Sequence, residues 1–243
     1  MGFVFMYSSN SYAEDIGLPG INLQFEESSS ESDEPPVATA IKVLLTLTIL
    51  SLAPGILIVM TSFIRIIIVL AILRHAFSMQ QTPPNTVLIG LALFLTIFNM
   101  SPVLSEINTN SFQPYLNNEI DTREAATASL EPLRHFMIKQ TRKEDLALMV
   151  GIAKQEMPKK ISDVNTFHLI PAFMISELKM GFQIGFVIFL PFLLIDIVVA
   201  SILMSMGMLM VPPLMISLPL KILMFVLIDG WYLVIRSLMA SFY

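Results

Sequence analysis

Six ionisable residues stand where the surrounding sequence is almost wholly apolar: Arg65, Glu177, Lys179, Asp196, Lys221 and Asp229. A charge at the centre of a bilayer costs about 2.5–3.5 kcal/mol on insertion scales, so such groups are expected to pair or to line a functional path. Acids and bases are both available. Glu177 is expected to pair with Lys221, within the chain or across a subunit boundary. The bland reading is that the lysines snorkel to the interface, and it fits Lys179 better than Lys221. Asp196 and Asp229 could in principle form a carboxylate dyad. However, neither HExxH nor GxSxG occurs, and no nucleophile stands at an evident spacing from a base. There is no glycine-rich phosphate loop either. The chain has no cysteine and three scattered histidines, which removes thiolate chemistry and leaves no metal-ligand spacing. An enzyme, a cofactor and a metal site are therefore not expected.

A second group is a run of methionines. Met204, Met206, Met208, Met210 and Met215 crowd the stretch MSMGMLMVPPLM, beside Gly207, Pro212 and Pro213. Period-two spacing marks one face of an extended segment rather than of a helix. Methionine is flexible and polarisable and suits surfaces that repack. A ring of such turns would make a deformable apolar seal, which requires an oligomer. Ordinary membrane core filled by methionine is the competing account.

The elements that hold these residues are apolar tracts. Of 243 residues, 55% are hydrophobic and 14% charged, against about a quarter charged in soluble domains. Twenty-two uncharged residues separate Lys42 from Arg65, and 31 without a Lys, Arg, Asp or Glu separate Arg74 from Glu106. Met180–Ile235 holds 56 residues with only Asp196, Lys221 and Asp229 charged. At about 20 residues per span these tracts give four hydrophobic segments. The predicted class is an all-α membrane protein: two broken helical hairpins, residues 41–105 and 169–243, around a small helical extracytoplasmic domain, 106–168. Breaks are expected at Pro54-Gly55, Pro102, Pro191, Gly207, Pro212-Pro213 and Pro219, because non-helical backbone at membrane depth is tolerated only when buried in protein or lining a cavity.

Residues 1–13 read as part of a signal peptide, ending at Ser11-Tyr12-Ala13 before Glu14. The apolar stretch Phe3–Tyr7 is short and no base precedes it; either the true start lies upstream or the segment is not a signal. Residues 14–40, with EESSSESDEPP, read as an acidic disordered linker. Residues 1–36 carry seven acids and no base, so the net charge of −5 belongs to one tail and nothing points to nucleic acid. That acidic tail suits the outer face, which also places the middle domain outside and Arg74 inside. In the middle domain, Asp121-Thr-Arg-Glu124 and Thr141-Arg-Lys-Glu144 read as capping boxes. Leu130, Leu133, Phe136 and Met137 recur at helical spacing, as do Leu148, Met149 and Ile152. These helices are expected to pack on a neighbouring copy, on a partner or on their own chain.

Long stretches resemble the FliP family of export-gate subunits of flagellar type III secretion. They are TSFIRIIIVLAILR (Thr61–Arg74), QTPPN (Gln81–Asn85), GLALFLTIF (Gly90–Phe98), PAFMISELKMGFQIGF (Pro171–Phe186), PFLLID (Pro191–Asp196), GMLMVPP (Gly207–Pro213) and LPLKILMFVLIDGW (Leu218–Trp231). Injectisome counterparts share the core motifs; the signal-like start and acidic tail favour the flagellar branch. The resemblance implies a homo-oligomer, typically a pentamer. It implies assembly with FliQ and FliR among other export-apparatus proteins, and a channel for unfolded export clients. It implies an inner-membrane site in the flagellar basal body, with the assembled subunits largely above the membrane plane. Met208, Leu209 and Met210 match the family's channel gasket, with Leu209 where a third methionine is more usual. Glu177 and Lys221 match positions linked to assembly. A secondary transporter or ion channel with broken helices is the rival reading; it predicts internal repeats, which are not evident.

Overall fold

In the computed structural model the described residues are 36–79, 82–154, 164–208 and 210–243. The expected signal peptide, most of the acidic linker and Leu209 lie outside them. The chain divides into two compact units at Leu47 and Thr48.

The described residues are all-α, with helices α1 (Pro36–Val59), α2 (Phe63–Ala76) and α3 (Asn85–Ile107). A π-helical turn, Asn108–Phe112, carries α3 on into α4 (Gln113–Leu116). Next come α5 (Thr122–Gln140) and α6 (Lys143–Ile152), then α7 (Thr166–Ser205), α8 (Pro213–Leu227) and α9 (Gly230–Ala240). Among the described residues, two helices are long and apolar enough to cross a membrane: the rod Asn85–Leu116 and the 40-residue α7. A third crossing is possible if α8 and α9, bent by 67° to each other, count as one broken span. The chain is a membrane protein on this count.

Four of the six expected breaks do not occur. Pro54-Gly55 lies inside α1, Pro102 inside α3, Pro191 inside α7 and Pro219 inside α8. Each proline removes one backbone donor, and neighbouring groups in apolar surroundings hold the helix together. The chain breaks at Met60–Ser62, at the expected Gly207 and Pro212-Pro213, and at Ile228-Asp229. At the first, Thr61 Oγ1 donates to the Ile58 carbonyl at 3.1 Å, so a side chain competes with the backbone ladder. At the last, Asp229 adopts a left-handed φ of 52°, which aspartate tolerates better than most residues.

The core is built on α2 and α7. Ile66, Val69, Leu70 and Leu73 recur at helical spacing on α2 and are buried, as are Leu169, Ala172 and Phe173 of α7. The close approach rests on Gly181 and Gly185, one turn apart on α7. A Cβ at Gly185 would lie 3.0 Å from Ile72 Cβ and 2.3 Å from its Cδ1; one at Gly181 would lie 3.1 Å from Ile68 Cγ2. Small residues four apart let two apolar helices close. Gly185→Val should force the pair apart at about 1–3 kcal/mol. A lowered thermal midpoint in detergent would show it, and Gly151→Val, where a Cβ meets open space, serves as control.

The middle helices pack on their own chain. Asp121 accepts from the α5 backbone while its own N–H donates to Glu124 at 3.4 Å, the expected capping box. The second box does not form. Thr141 Oγ1 donates back to the Met137 carbonyl at 2.6 Å and α6 starts after Arg142. On α5, Leu133, Phe136 and Met137 are buried and Leu130 is exposed. On α6 the buried apolar residues are Leu146 and Val150, while Leu148 and Ile152 of the expected face are exposed. Polar contacts fix that choice: the Arg142 N–H donates to Ser176 Oγ at 3.0 Å, and Ser176 donates to Asp145 at 2.7 Å.

Candidate functional site

Arg65 sits on α2, one turn after the Thr61-Ser62 break, and is 1% exposed. Its guanidinium grips Glu177 of α7 with two parallel bonds, Nε to Oε2 at 2.9 Å and Nη2 to Oε1. Nη1 donates to the Ser241 carbonyl at 2.9 Å and to Ser241 Oγ at 3.0 Å. Nη2 also donates to Gln140 Oε1 at 3.0 Å. Those five bonds use all five N–H donors of the fork. The Phe242 ring stacks 4.0 Å from the guanidinium carbon, and Gln140 Nε2 donates to the Phe242 carbonyl at 2.8 Å. One buried cation thus ties α2, the end of α5, α7 and the residues after α9 together.

The second pair lies far along α7. Lys221 of α8, also buried, donates to Asp196 Oδ2 at 2.6 Å, to the Ala76 carbonyl at 3.0 Å and to Ser78 Oγ at 3.1 Å. All three ammonium protons are used. Ala76 ends α2, so the lysine also meets the negative end of that helix. Asp196 remains 32% exposed, and its Oδ1 has no partner. Phe77, Phe192 and Phe225 pack edge to face beside the pair, Phe77 being 4.9 Å from each of the others.

The expected Glu177–Lys221 pairing does not form within the chain. Glu177 and Asp196 are 19 residues apart on the continuous α7, which is about 28 Å at 1.5 Å per residue. Lys221 reaches only the Asp196 end. Glu177 meets an arginine whose planar fork fits a carboxylate better than an ammonium does. Lys179 is exposed; two residues past Glu177, it is turned about 200° around the helix. Asp229 is exposed at the elbow between α8 and α9 and joins neither pair. No metal-binding cluster occurs among the described residues.

The methionine turn is not an extended segment. Met204 lies in the last turn of α7, and Met206 is its C-cap. Gly207 takes a φ of +72°. Its N–H bonds the Met204 carbonyl and the Met208 N–H bonds the Leu203 carbonyl, both at 3.0 Å. That left-handed cap favours glycine. Pro212 and Pro213 then start α8, where a proline loses nothing. Met204, Met206, Met208 and Met215 are exposed, and Met210 is 95% exposed.

The sequence model of the FliP family matches residues 46–238, a stretch holding both ion pairs and the methionine turn. The chain belongs to the FliP family. It is 56% identical over 213 residues to the flagellar biosynthetic protein FliP of Bacillus subtilis (strain 168), covering 88% of this chain and 96% of that protein. To FliP of Treponema pallidum (strain Nichols) it is 47% identical, over 93% of this chain and 83% of that one. To FliP of Borreliella burgdorferi it is 43% identical, over 98% and 96%. Members of the family are non-catalytic, pore-forming components of the flagellar type III export gate, and this membrane chain is one of them.

Proposed function

We propose that copies of this chain assemble with FliQ and FliR, family-typically as a pentamer, around a channel in the bacterial inner membrane at the flagellar basal body. Unfolded flagellar proteins pass through it, and partners supply the energy. Met208, Leu209 and Met210, between Gly207 and Pro212-Pro213 in the sequence, are the gasket. The observation that carries this reading is the exposure of Met208 and Met210 on a capped turn at the end of a 40-residue helix. Soft apolar side chains there have too few contacts within one chain and fit neighbouring turns or a passing polypeptide. Arg65, Glu177, Asp196 and Lys221 keep the subunit's shape for assembly, while exposed Lys179 and Asp229 are left to face neighbours. Two hydrophobic hairpins carry the chain, with the N-terminus and the middle helices on the periplasmic side.

Native mass spectrometry of the chain, alone and co-expressed with FliQ and FliR, tests the assembly. A discrete homo-oligomer that takes up both partners supports it; a monomer that ignores them overturns it. Replacing residues 208–210 with glycines is expected to leave that mass unchanged and make vesicles holding the complex leak ions. Unchanged permeability in an assembled variant removes the gasket.

A further inference from the structure

The chain has no cysteine and one tryptophan, so methionine sulfur is the most readily oxidised side-chain atom it offers. Met60, Met100 and Met137 are at most 4% exposed and belong to the core. Met204, Met206, Met208, Met210 and Met215 are 40–95% exposed. Oxidation follows access, and a sheltered sulfur reacts only after local opening. The methionines therefore differ in reach for an oxidant, and the accessible ones crowd a single turn.

The turn is also separate from the bonds that hold the subunit together. Its backbone is fixed by the left-handed Gly207 and by the Met208 N–H on the Leu203 carbonyl, and neither involves a sulfur. Asp196 and Lys221 lie eight residues before Met204 and six after Met215. An oxygen added to these sulfurs changes the chemistry of the surface and leaves the fold alone. At Met100 or Met137 the same oxygen would have to enter a close-packed core. Methionine sulfoxide is polar and chiral, so it spoils methionine-rich contacts. Apolar turns pressed together exclude water, whereas turns carrying sulfoxides would have to desolvate a strong acceptor. Leu209 has no sulfur, so the reactive positions of the gasket are Met208 and Met210.

We propose that Met208 and Met210 form a reversible oxidation site at which peroxide opens the seal. The sulfur lone pair attacks one peroxide oxygen; the O–O bond breaks, an S–O bond forms and water leaves. Each sulfur gives up two electrons and the peroxide takes them. A dithiol-dependent methionine sulfoxide reductase removes the oxygen as water, its dithiol becoming a disulfide, and restores the thioether. The inference rests on the gasket reading and adds a control to that same site.

The test treats vesicles holding the complex with dilute hydrogen peroxide. Ion leak and peptide mass spectrometry are read on the same samples. Met208 and Met210 should gain oxygen at least about ten-fold faster than Met100 and Met137, which must wait for local opening. Leak should rise several-fold and fall back after methionine sulfoxide reductase with dithiothreitol, while circular dichroism stays unchanged. The double variant Met208→Leu with Met210→Leu, compared with its own untreated sample, should show no peroxide-induced leak although Met204, Met206 and Met215 still oxidise. Equal oxidation of turn and core methionines overturns the site, because the turn is then covered in the complex. Peroxide-induced leak that persists in the double variant overturns it too, as does selective oxidation without leak. The glycine replacement of residues 208–210 separates the two readings. If it leaks and the oxidised complex does not, the gasket stands and the oxidation site alone falls. If neither leaks, both fall.

Discussion

Glu177→Ala is expected to abolish stable folding and assembly, at a cost of about 3–5 kcal/mol, because it leaves the buried Arg65 guanidinium without its carboxylate. Ser241, Gln140 and the Phe242 ring would still surround the cation, but they supply only dipoles and a π face. Arg65→Lys should recover little. An ammonium has three donors on one atom and cannot reach Glu177, Gln140 and Ser241 together as the fork does. Removing both charges is predicted to be much milder: Arg65→Met with Glu177→Met keeps the volume and deletes the desolvation penalty on both sides. Thermal unfolding in detergent, with the yield of assembled complex, gives the ranking. If Glu177→Ala is as stable as the double methionine variant, the pair contributes little. Reversing Glu177 and Lys221 together should rescue nothing, since the two side chains belong to different pairs.

Lys221→Met should be the second most damaging change. It strands the Asp196 carboxylate, whose Oδ1 already lacks a partner, and strips the Ala76 carbonyl of its donor. Exchanging the two residues, Asp196→Lys with Lys221→Asp, restores charge balance and yet is expected to fail. A carboxylate at 221 would face the Ala76 carbonyl, an acceptor against an acceptor, at the negative end of α2. Asp196→Asn should be intermediate, because the amide oxygen can still accept from Lys221. Export-dependent motility together with the thermal midpoint separates these cases. A swap that works as well as the natural pair would show that only charge balance matters there.

The sequence spoke clearly about class and less clearly about partners. Charge-free tracts longer than 20 residues leave few options besides membrane helices, and Asp121 with Glu124 announced the start of α5. The buried charges could be picked out by their company, but which acid meets which base depends on depth along α7. That depth follows only once α7 is known to run unbroken past Pro171 and Pro191. Proline was overweighted as a breaker, while the quieter signals Thr61-Ser62 and Asp229-Gly230 marked real ends. The pattern Gly181-Phe-Gln-Ile-Gly185 was readable as a helix contact. The methionine period misled because a helix end and a glycine cap split it: Met204 is helical, and Met208 follows the left-handed residue.

The Asp196–Lys221 bond also sets a mechanical boundary. On one side of it α7 is fastened again at Glu177, about 28 Å back, so the intervening rod has two fixed points. On the other side, nine residues of α7 and eight of α8 run out to the methionine turn, an arm of roughly 13 Å. The bond is therefore the last fixed point before the tip, which moves only if the continuous α7 bends there. A tilt of roughly 15° about it carries the turn by roughly 3–4 Å, by the rise of the helix alone. The core at α2 need not move for that to happen. The tip can thus travel about the width of a side chain while the body of the subunit stays still.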